Sequence, residues 1–221
     1  MPQQYTLNLT INATDLTTIA AAGENIIVAK LVGNPSDSPS VAWLSIPPAQ
    51  NTQVQWTEQY AIYASSQTPI QSGAVIFPSS TTPYPASDGV CYELVNQVFS
   101  ASPAYGYLPV PSGSYSALNK MTSSAAMTFG LTQAAIVSGT NVQPGPVNAE
   151  LIPSNQQTVF TPSLTVWVWL QSSITSGTVV VGLFKPSLVE VVSPPAAVSF
   201  PGGVTTQNLQ YSSSQGGFVS A

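Results

Sequence analysis

The chain alternates apolar and polar residues in several short stretches, and the alternation is most regular near its start. The apolar positions there are Tyr5, Leu7, Leu9 and Ile11. The polar positions that alternate with them are Thr6, Asn8, Thr10 and Asn12. Successive side chains of a β-strand point to opposite faces of the sheet. The pattern therefore predicts a strand with one face in the core and one face in water.

The segment from Phe160 to Val181 carries bulky residues on both faces. In its first half, one face holds Leu164, Val166, Val168 and Leu170. The other face holds Thr165, Trp167, Trp169 and Gln171. We predict a central strand covered on both sides, since no 3.6-residue spacing favours a helix. Turn residues from Ser172 to Gly177 then predict a hairpin with Thr178 to Leu183. We interpret Trp167 and Trp169 as a second packed layer, with a stacking surface for a sugar or partner as the alternative.

Similar runs recur along the rest of the chain and predict roughly a dozen short strands. Outside the two segments above they are Asn25 to Val32, Val41 to Ile46, two pieces within Asn51 to Ala64 that bend near Glu58, Ala74 to Phe77, Val90 to Phe99, Tyr115 to Asn119, Met127 to Val137, Val147 to Ile152, Val189 to Val192, Val198 to Phe200 and Val204 to Tyr211. The only helical prediction is a short turn from Asp15 to Ala22 with Asp15 as its N-cap, weakened by Thr17, Thr18 and Gly23.

This pattern predicts an all-β protein. At 221 residues the chain suits one large all-β domain, so we expect a single antiparallel β-sandwich of jelly-roll type over residues 1–211. The segment 212–221 is rich in Ser and Gly, and we expect it to be a flexible tail.

The charge content is unusually low. Lys and Arg total 3, Asp and Glu total 8, and His is absent, whereas about a quarter of an average sequence is charged. Nucleic acid is excluded as a partner because counterion release needs clustered cations. We expect little pH dependence near neutrality, since few groups titrate there. Few charged side chains are available to keep the strand edges from pairing with another chain, so self-association into a homo-oligomer is expected.

The residue types exclude most catalytic sites. Without His, neither a Ser-His-Asp nor a Cys-His arrangement can form within this chain, and we expect no zinc site, no other metal and no cofactor. Asp88 and Glu93 are the closest carboxylates that could hydrolyse a glycoside, but their spacing tends to direct them to opposite faces of an extended chain. The single Cys91 is expected to be buried. We therefore predict that the protein is not an enzyme.

No targeting segment is predicted. Residues Met1 to Asp15 alternate and lack the basic start and continuous apolar core of a signal peptide. No run approaches the roughly 18 apolar residues of a membrane-spanning helix. We expect either a cytoplasmic protein or one displayed at the cell surface after non-classical export.

Aromatic residues in polar surroundings are the candidates for ligand binding. Trp56 and Tyr60 flank Glu58 in one segment, which predicts either the border of a sugar site or ordinary packing between sheets. Tyr84 lies in a proline-rich loop. Tyr105 and Tyr107 lie among Pro and Gly in the loop 100–114, where recognition residues often occur.

The order of several short aromatic motifs is similar to that of a known family. These motifs are Val41-Ala42-Trp43-Leu44-Ser45, Gln55-Trp56-Thr57-Glu58-Gln59-Tyr60, Phe160-Thr161-Pro162, Ser176-Gly177-Thr178-Val179 and Val198-Ser199-Phe200-Pro201-Gly202-Gly203. In this order the chain resembles the RhiA-like proteins, small bacterial proteins named for expression in the rhizosphere. The likeness spans most of the chain except Ala64 to Lys120. It implies no biochemical activity and no catalytic residues.

The sequence thus predicts a non-enzymatic structural protein that self-associates into an oligomer or ordered assembly. The alternative is a binding module, either a lectin-like carbohydrate-binding protein or a membrane-active β-sandwich that contacts a lipid surface. Trp56, Glu58, Tyr60, Tyr84, Tyr105 and Tyr107 are the residues expected to contact such a partner.

Overall fold

The computed structural model describes residues 3–33, 40–68, 70–101, 108–180 and 193–221. Within these ranges the chain forms one helix, α1 (Ala13–Ala21), and eighteen strands. The strands are β1 (Gln4–Thr10), β2 (Glu24–Val32), β3 (Ser40–Ile46), β4 (Asn51–Thr57), β5 (Ala61–Ser65), β6 (Ser80–Thr81), β7 (Cys91–Val95), β8 (Val98–Ala101), β9 (Tyr115–Asn119), β10 (Ala126–Val137), β11 (Thr140–Pro146), β12 (Glu150–Pro153), β13 (Gln157–Phe160), β14 (Pro162–Ser172), β15 (Val179–Val180), β16 (Ala196–Ser199), β17 (Thr206–Ser212) and β18 (Gly217–Ser220). The fold is 56% strand and 5% helix, which confirms the all-β prediction.

The largest sheet is built around β1, β4 and the long strand β10. Its strands follow the order β18-β17-β1-β4-β10-β5-β6, and β11 and β12 also pair with β10. Strand β10 changes partners along its length: Thr128 to Thr132 pair with β5, whereas Ile136 and Val137 pair with β4. This change of partner brings β4, β10 and β11 together at one place on the sheet.

Two smaller sheets complete the fold. One has the order β13-β9-β7-β8 and the other the order β15-β3-β2-β14-β16. Most pairs are antiparallel, as expected, but β1 pairs with β17 in parallel and so does β7 with β9. The jelly-roll strand order stays a prediction.

The main hydrophobic core joins all three sheets. It contains Leu7 and Leu9 from β1, Leu94 from β7 and Val166 from β14. The alternation predicted for β1 is confirmed, because its Leu residues are buried and its polar residues face outward. Burial of aliphatic side chains of this size contributes about 1.5–3 kcal/mol each.

Strand β14 lies inside its sheet with packed layers on both sides. Val166, Val168 and Leu170 enter the main core, whereas Trp169 packs with Ile27 in a separate cluster. The prediction of a strand covered on both faces is confirmed. The hairpin prediction is wrong, because β14 pairs with β2 and β16 while β15 pairs with β3. Residues 181–183 of the predicted hairpin and the predicted strand 189–192 lie outside the described residues.

The helix and the C-terminal segment also differ from expectation. Helix α1 begins earlier than predicted because Asn12, not Asp15, is the N-cap: its side chain accepts a hydrogen bond from the Asp15 backbone N–H at 2.8 Å. The segment expected to be a flexible tail instead contains β18, which pairs with β17 and buries Phe218 in the main core. Apolar packing there outweighs the flexible Ser and Gly composition.

Candidate functional site

A buried ion pair lies in the core beside the large sheet. The Nζ atom of Lys30, on β2, lies 2.6 Å from Oε1 of Glu58, which follows β4. Lys30 points inward because it shares the strand face of Ile26, Val28 and Val32, all of which enter the main core. Its side chain is 0% exposed, whereas that of Glu58 is 25% exposed. Removing a charge from water in this way is costly unless a partner compensates it.

Three aromatic rings surround the Lys30 ammonium group. The Nζ atom lies 5.9 Å from the ring centroid of Trp43 and 5.3 Å from those of Trp56 and Tyr60. An aromatic face attracts a cation within about 6 Å through the ring quadrupole. The rings also pack on each other, since Trp43 and Trp56 meet edge to face with centroids 5.9 Å apart. They therefore replace part of the hydration that the ammonium group loses.

Glu58 binds the same aromatic residues through hydrogen bonds. Its Oε1 atom accepts from Trp56 Nε1 at 2.7 Å as well as from Lys30, and its Oε2 atom accepts from the Tyr60 hydroxyl at 2.5 Å. Hydrogen bonds to an ionised carboxylate are among the stronger ones in proteins. The carboxylate therefore fixes two rings and one cation at once. We name Lys30, Trp43, Trp56, Glu58 and Tyr60 the charged aromatic cluster.

The cluster shifts the ionisation of its own members. Burial lowers the pKa of Lys30 to about 8, although the adjacent Glu58 carboxylate opposes this shift. Burial and Glu58 together raise the pKa of Tyr60 well above its usual value. The lowered pKa of Lys30 argues against pH independence at mildly alkaline pH, and pH independence stays a prediction. Because its side chain is fully buried, Lys30 has no access to a solvent-borne substrate.

A groove of about 520 Å³ opens on the outer face of the large sheet next to this cluster. The strand register explains its position: Thr6, Gln55, Ile136 and Asn141 lie side by side across β1, β4, β10 and β11 and therefore share one face. Five amide side chains line it, namely Gln4, Gln55, Gln59, Asn141 and Gln143. None of the described residues that line it is charged. Trp56 connects the groove to the cluster.

Tyr84 forms one wall of the groove. Its hydroxyl group donates to the backbone carbonyl of Gln59 at 3.0 Å and accepts from the Ala134 N–H at 3.3 Å. These two bonds tie the proline-rich loop to the sheet. The residue remains 38% exposed, so part of it faces solvent. The amides and this tyrosine provide polar groups in the groove, whereas Ile136 and Val142 belong to its apolar surface, which is the larger part of the lining.

The structure brings four of the six sequence-predicted residues together. Trp56 and Tyr60 are buried and hydrogen-bonded to Glu58, and Tyr84 lies across the groove from β4. The burial of Trp56 and Tyr60 favours the packing interpretation for most of their surface. Tyr105 and Tyr107 lie outside the described residues. Direct ligand contact by these six residues stays a prediction.

Asp88 and Glu93, the two carboxylates considered for catalysis, do not belong to the charged aromatic cluster. Asp88 accepts a hydrogen bond from the Gly113 N–H at 2.7 Å and so closes the turn before β9. Glu93 lies on β7, opposite Ser100 of β8. Among the described residues, no three His, Cys, Asp or Glu side chains lie together as a metal site would require. In the same part of the chain, no helix has the length and apolarity needed to cross a membrane.

Sequence reasoning missed Lys30 and most of the groove. Lys30 could have been found, since the period of two places it with Ile26 and Val28 on the inward face of β2. The groove amides belong to strands far apart in sequence, such as β1, β4 and β11, and no local pattern predicts that they meet. No family model, no curated protein and no solved structure matches the chain, so its similarity to the RhiA-like proteins stays a prediction.

Proposed function

We propose that this protein is a non-enzymatic binding module that holds a neutral carbohydrate in the groove beside Tyr84. The observation that supports this most is the lining itself: within the part of the chain that the structure describes, five amide side chains and a tyrosine line the groove without a charged residue. Each amide group offers both donors and an acceptor. Sugar hydroxyls also donate and accept, so the two kinds of group are complementary. An anionic or cationic ligand would find no counter-charge there.

The shape of the groove and its apolar patches fit the same ligand class. Its volume of about 520 Å³ lies within the usual range of small-molecule sites, which is roughly 300–1,000 Å³. Ile136, Val142 and Pro144 provide apolar surface against which the C–H face of a sugar ring packs. Glu58 is flanked by groove residues, but its oxygens already accept three hydrogen bonds within the cluster. We therefore propose binding without turnover.

A glycan array that contains neutral, sialylated and sulfated glycans tests this proposal. We expect binding to neutral glycans only. The double variant Gln55→Ala/Gln143→Ala should weaken it at least about tenfold, because two hydrogen bonds of about 1 kcal/mol each are lost. Gln71→Ala is the matched control, since Gln71 is an exposed amide outside the groove. A blank array, or unchanged binding by the double variant, contradicts the proposal.

Self-association is a second candidate, and one edge of the β13-β9-β7-β8 sheet favours it. Strand β8 ends this sheet within the described residues. Val98 on this strand is 66% exposed and Val95, just before the turn to it, is 42% exposed. An apolar edge strand without charged guards is a template for pairing with another chain. Such pairing would produce the oligomer or ordered assembly that the composition predicts.

Sedimentation over a concentration series tests this second candidate. We expect Val98→Lys to shift the protein towards monomer, because a lysine on an edge strand opposes pairing. Val204→Lys is the control, since Val204 is 40% exposed and lies outside the strands. A monomer at every concentration, or an equal effect of both variants, excludes assembly through β8.

A further inference from the structure

The outer face of β17, β1 and β4 is a regular field of uncharged polar side chains. The register places them in three rows across the strands, Thr206–Thr6–Gln55, Asn208–Asn8–Gln53 and Gln210–Thr10–Asn51. All nine side chains are exposed or half-buried. No apolar or charged residue interrupts the rows. We name these nine residues the amide face.

The middle row is held in place by its own hydrogen bonds. The side-chain amide of Asn8 donates to Asn208 Oδ1 at 2.8 Å, and that of Gln53 donates to Asn8 Oδ1 at 3.0 Å. Three amides on three strands thus form one ladder. Ordering them in advance reduces the conformational entropy that a ligand would otherwise have to remove. Each amide keeps further donor or acceptor capacity for a ligand.

Two grooves lie at opposite ends of this face. The first is the groove proposed to bind carbohydrate, which includes Gln55. The second has a volume of about 420 Å³ and is lined by Thr10, Asn51 and Gln210 together with Tyr211 and Asn12. Between the two ends, β1 runs for six residue steps from Gln4 to Thr10, or roughly 20 Å at about 3.4 Å per residue. The grooves and the amide face therefore form one continuous uncharged path.

We propose that a linear, uncharged polysaccharide lies along β1 and β4, from the first groove across the amide ladder to the second. This inference rests on the proposed function and names its ligand class as a polymer of several sugar units. A single sugar fills one groove, but only an extended chain contacts both. The path carries donors and acceptors along its whole length, and no charged residue lines it within the described ranges; the Asp15 carboxylate only borders the second groove, where it accepts a hydrogen bond from Asn12.

A second copy of this protein fits the amide face less well. Protein interfaces place apolar and aromatic residues at their centre, whereas the centre here is the ladder of Asn8, Asn208 and Gln53. The strands β1 and β4 already pair on both of their edges, so another chain cannot add a strand there. Side-chain hydrogen bonds to hydroxyl groups are the contacts that remain.

Titration calorimetry with a chain-length series tests the inference. The probes are the di- and hexasaccharides of β-1,4-glucan, β-1,3-glucan, β-1,4-mannan and β-1,4-linked N-acetylglucosamine. We expect at least one hexasaccharide to bind at least about tenfold more tightly than its disaccharide, since the longer chain adds several hydrogen bonds of about 1 kcal/mol each. Asn8→Ala/Gln53→Ala should abolish this gain and leave disaccharide binding unchanged. Gln71→Ala is the control, and circular dichroism verifies that each variant is folded.

The outcomes separate the two proposals. If disaccharides bind as tightly as hexasaccharides and the Asn8→Ala/Gln53→Ala variant binds both normally, the groove function stands and the extended path is overturned. If no probe binds, both are overturned. If the variant changes the sedimentation of the protein but not its hexasaccharide affinity, the amide face is a contact between copies and the inference is again overturned.

Discussion

Lys30 is the residue whose buried charge most needs compensation by its surroundings. It carries a charge in the core, with Glu58 2.6 Å away and three aromatic rings around its ammonium group. Removing one partner of a buried pair costs far more than replacing both partners, because the remaining charge is left without compensation. The charged aromatic cluster is therefore expected to behave as one unit in mutagenesis.

We predict that Glu58→Gln destabilises the protein by about 3–5 kcal/mol at neutral pH, because it leaves the Lys30 charge buried. Lys30→Met should cost less, since Glu58 is partly exposed and keeps its bonds to Trp56 and Tyr60. The double variant should be more stable than Glu58→Gln alone. Urea unfolding followed by tryptophan fluorescence measures all three.

Glu24→Gln is the matched control for this series. Glu24 undergoes the same chemical change at the start of β2, outside the cluster, and should change the free energy of unfolding by less than about 0.5 kcal/mol. A loss for the double variant equal to the sum of the losses for Glu58→Gln and Lys30→Met would show that the pair is not coupled.

The lowered pKa of Lys30 predicts a pH dependence of stability. The folded value is about 8 and the reference value is 10.5, so between these limits the unfolded state binds more protons. Stability then rises with pH. From pH 8 to about 9.5 the Lys30 contribution should be roughly 2 kcal/mol. Burial raises the pKa of Cys91 and Tyr60, which acts in the opposite direction as those groups begin to lose protons in the unfolded state.

The measurement is therefore the difference between the wild type and Lys30→Met. We expect the wild type to gain stability relative to this variant as pH rises from about 8 to 9.5. Parallel pH profiles for the two proteins would mean that Lys30 keeps an ordinary pKa. The inward position of Lys30 follows from the alternation of β2, but its partner does not, because Glu58 lies in the segment after β4, 28 positions away.

At the scale of elements, β10 depends on a close approach that only glycine allows. A Cβ atom built on Gly130 would lie 2.6 Å from Cε1 of Tyr63 and would also overlap the backbone carbonyl oxygen of Asn148. The Tyr63 hydroxyl donates to that same carbonyl at 2.6 Å. The absence of a side chain at Gly130 thus lets β5, β10 and the segment before β12 pack together.

We predict that Gly130→Ala destabilises the protein by about 1–3 kcal/mol or more, as overpacking of a core does. Gly145→Ala on β11 is the control, because its Cβ atom would meet only Trp43 O at an ordinary 3.7 Å. Thermal unfolding of the two variants measures the difference. Equal melting temperatures would contradict the close approach at Gly130.

Most strands could be predicted from the sequence, but β11 was missed and the predicted strand Ala74 to Phe77 is only an isolated bridge at Val75. Strand pairing could not be predicted. The alternation of β1 and the apolar faces of β14 are local patterns, which a period of two detects. The partners of β14 are set by long-range packing, and β2 lies about 140 residues earlier in the chain than β14. The segment 212–221 shows the opposite effect, since its composition predicts flexibility but Phe218 anchors β18 in the core. The groove depends on pairings of this long-range kind.

At the scale of the whole molecule, amide and hydroxyl side chains take the place of charged ones in contacts with water. The composition already predicts this, since only 5% of residues are charged. What the composition does not predict is the concentration of amides in one face and two grooves. That arrangement follows from the register of β17, β1 and β4, which aligns the polar positions of three separate strands.

We predict that carbohydrate binding is independent of ionic strength. No charged side chain lines the path in the described part of the chain, so added salt has no attraction to screen. The hexasaccharide dissociation constant should change less than about twofold between roughly 50 mM and 1 M NaCl. A systematic loss of affinity with salt would indicate a charged contact and therefore a different binding surface.

The central claim is that the uncharged outer face of β17, β1 and β4 binds the ligand. Nuclear magnetic resonance of the ¹⁵N-labelled protein, titrated with the neutral hexasaccharide that binds most tightly, tests it directly. The account predicts that the side-chain NH₂ signals of Asn8, Gln53 and Gln55 shift together and saturate at one dissociation constant, while that of Gln71 stays in place. Shifts confined to residues outside this face and its two grooves, or no shifts with any hexasaccharide, would contradict it.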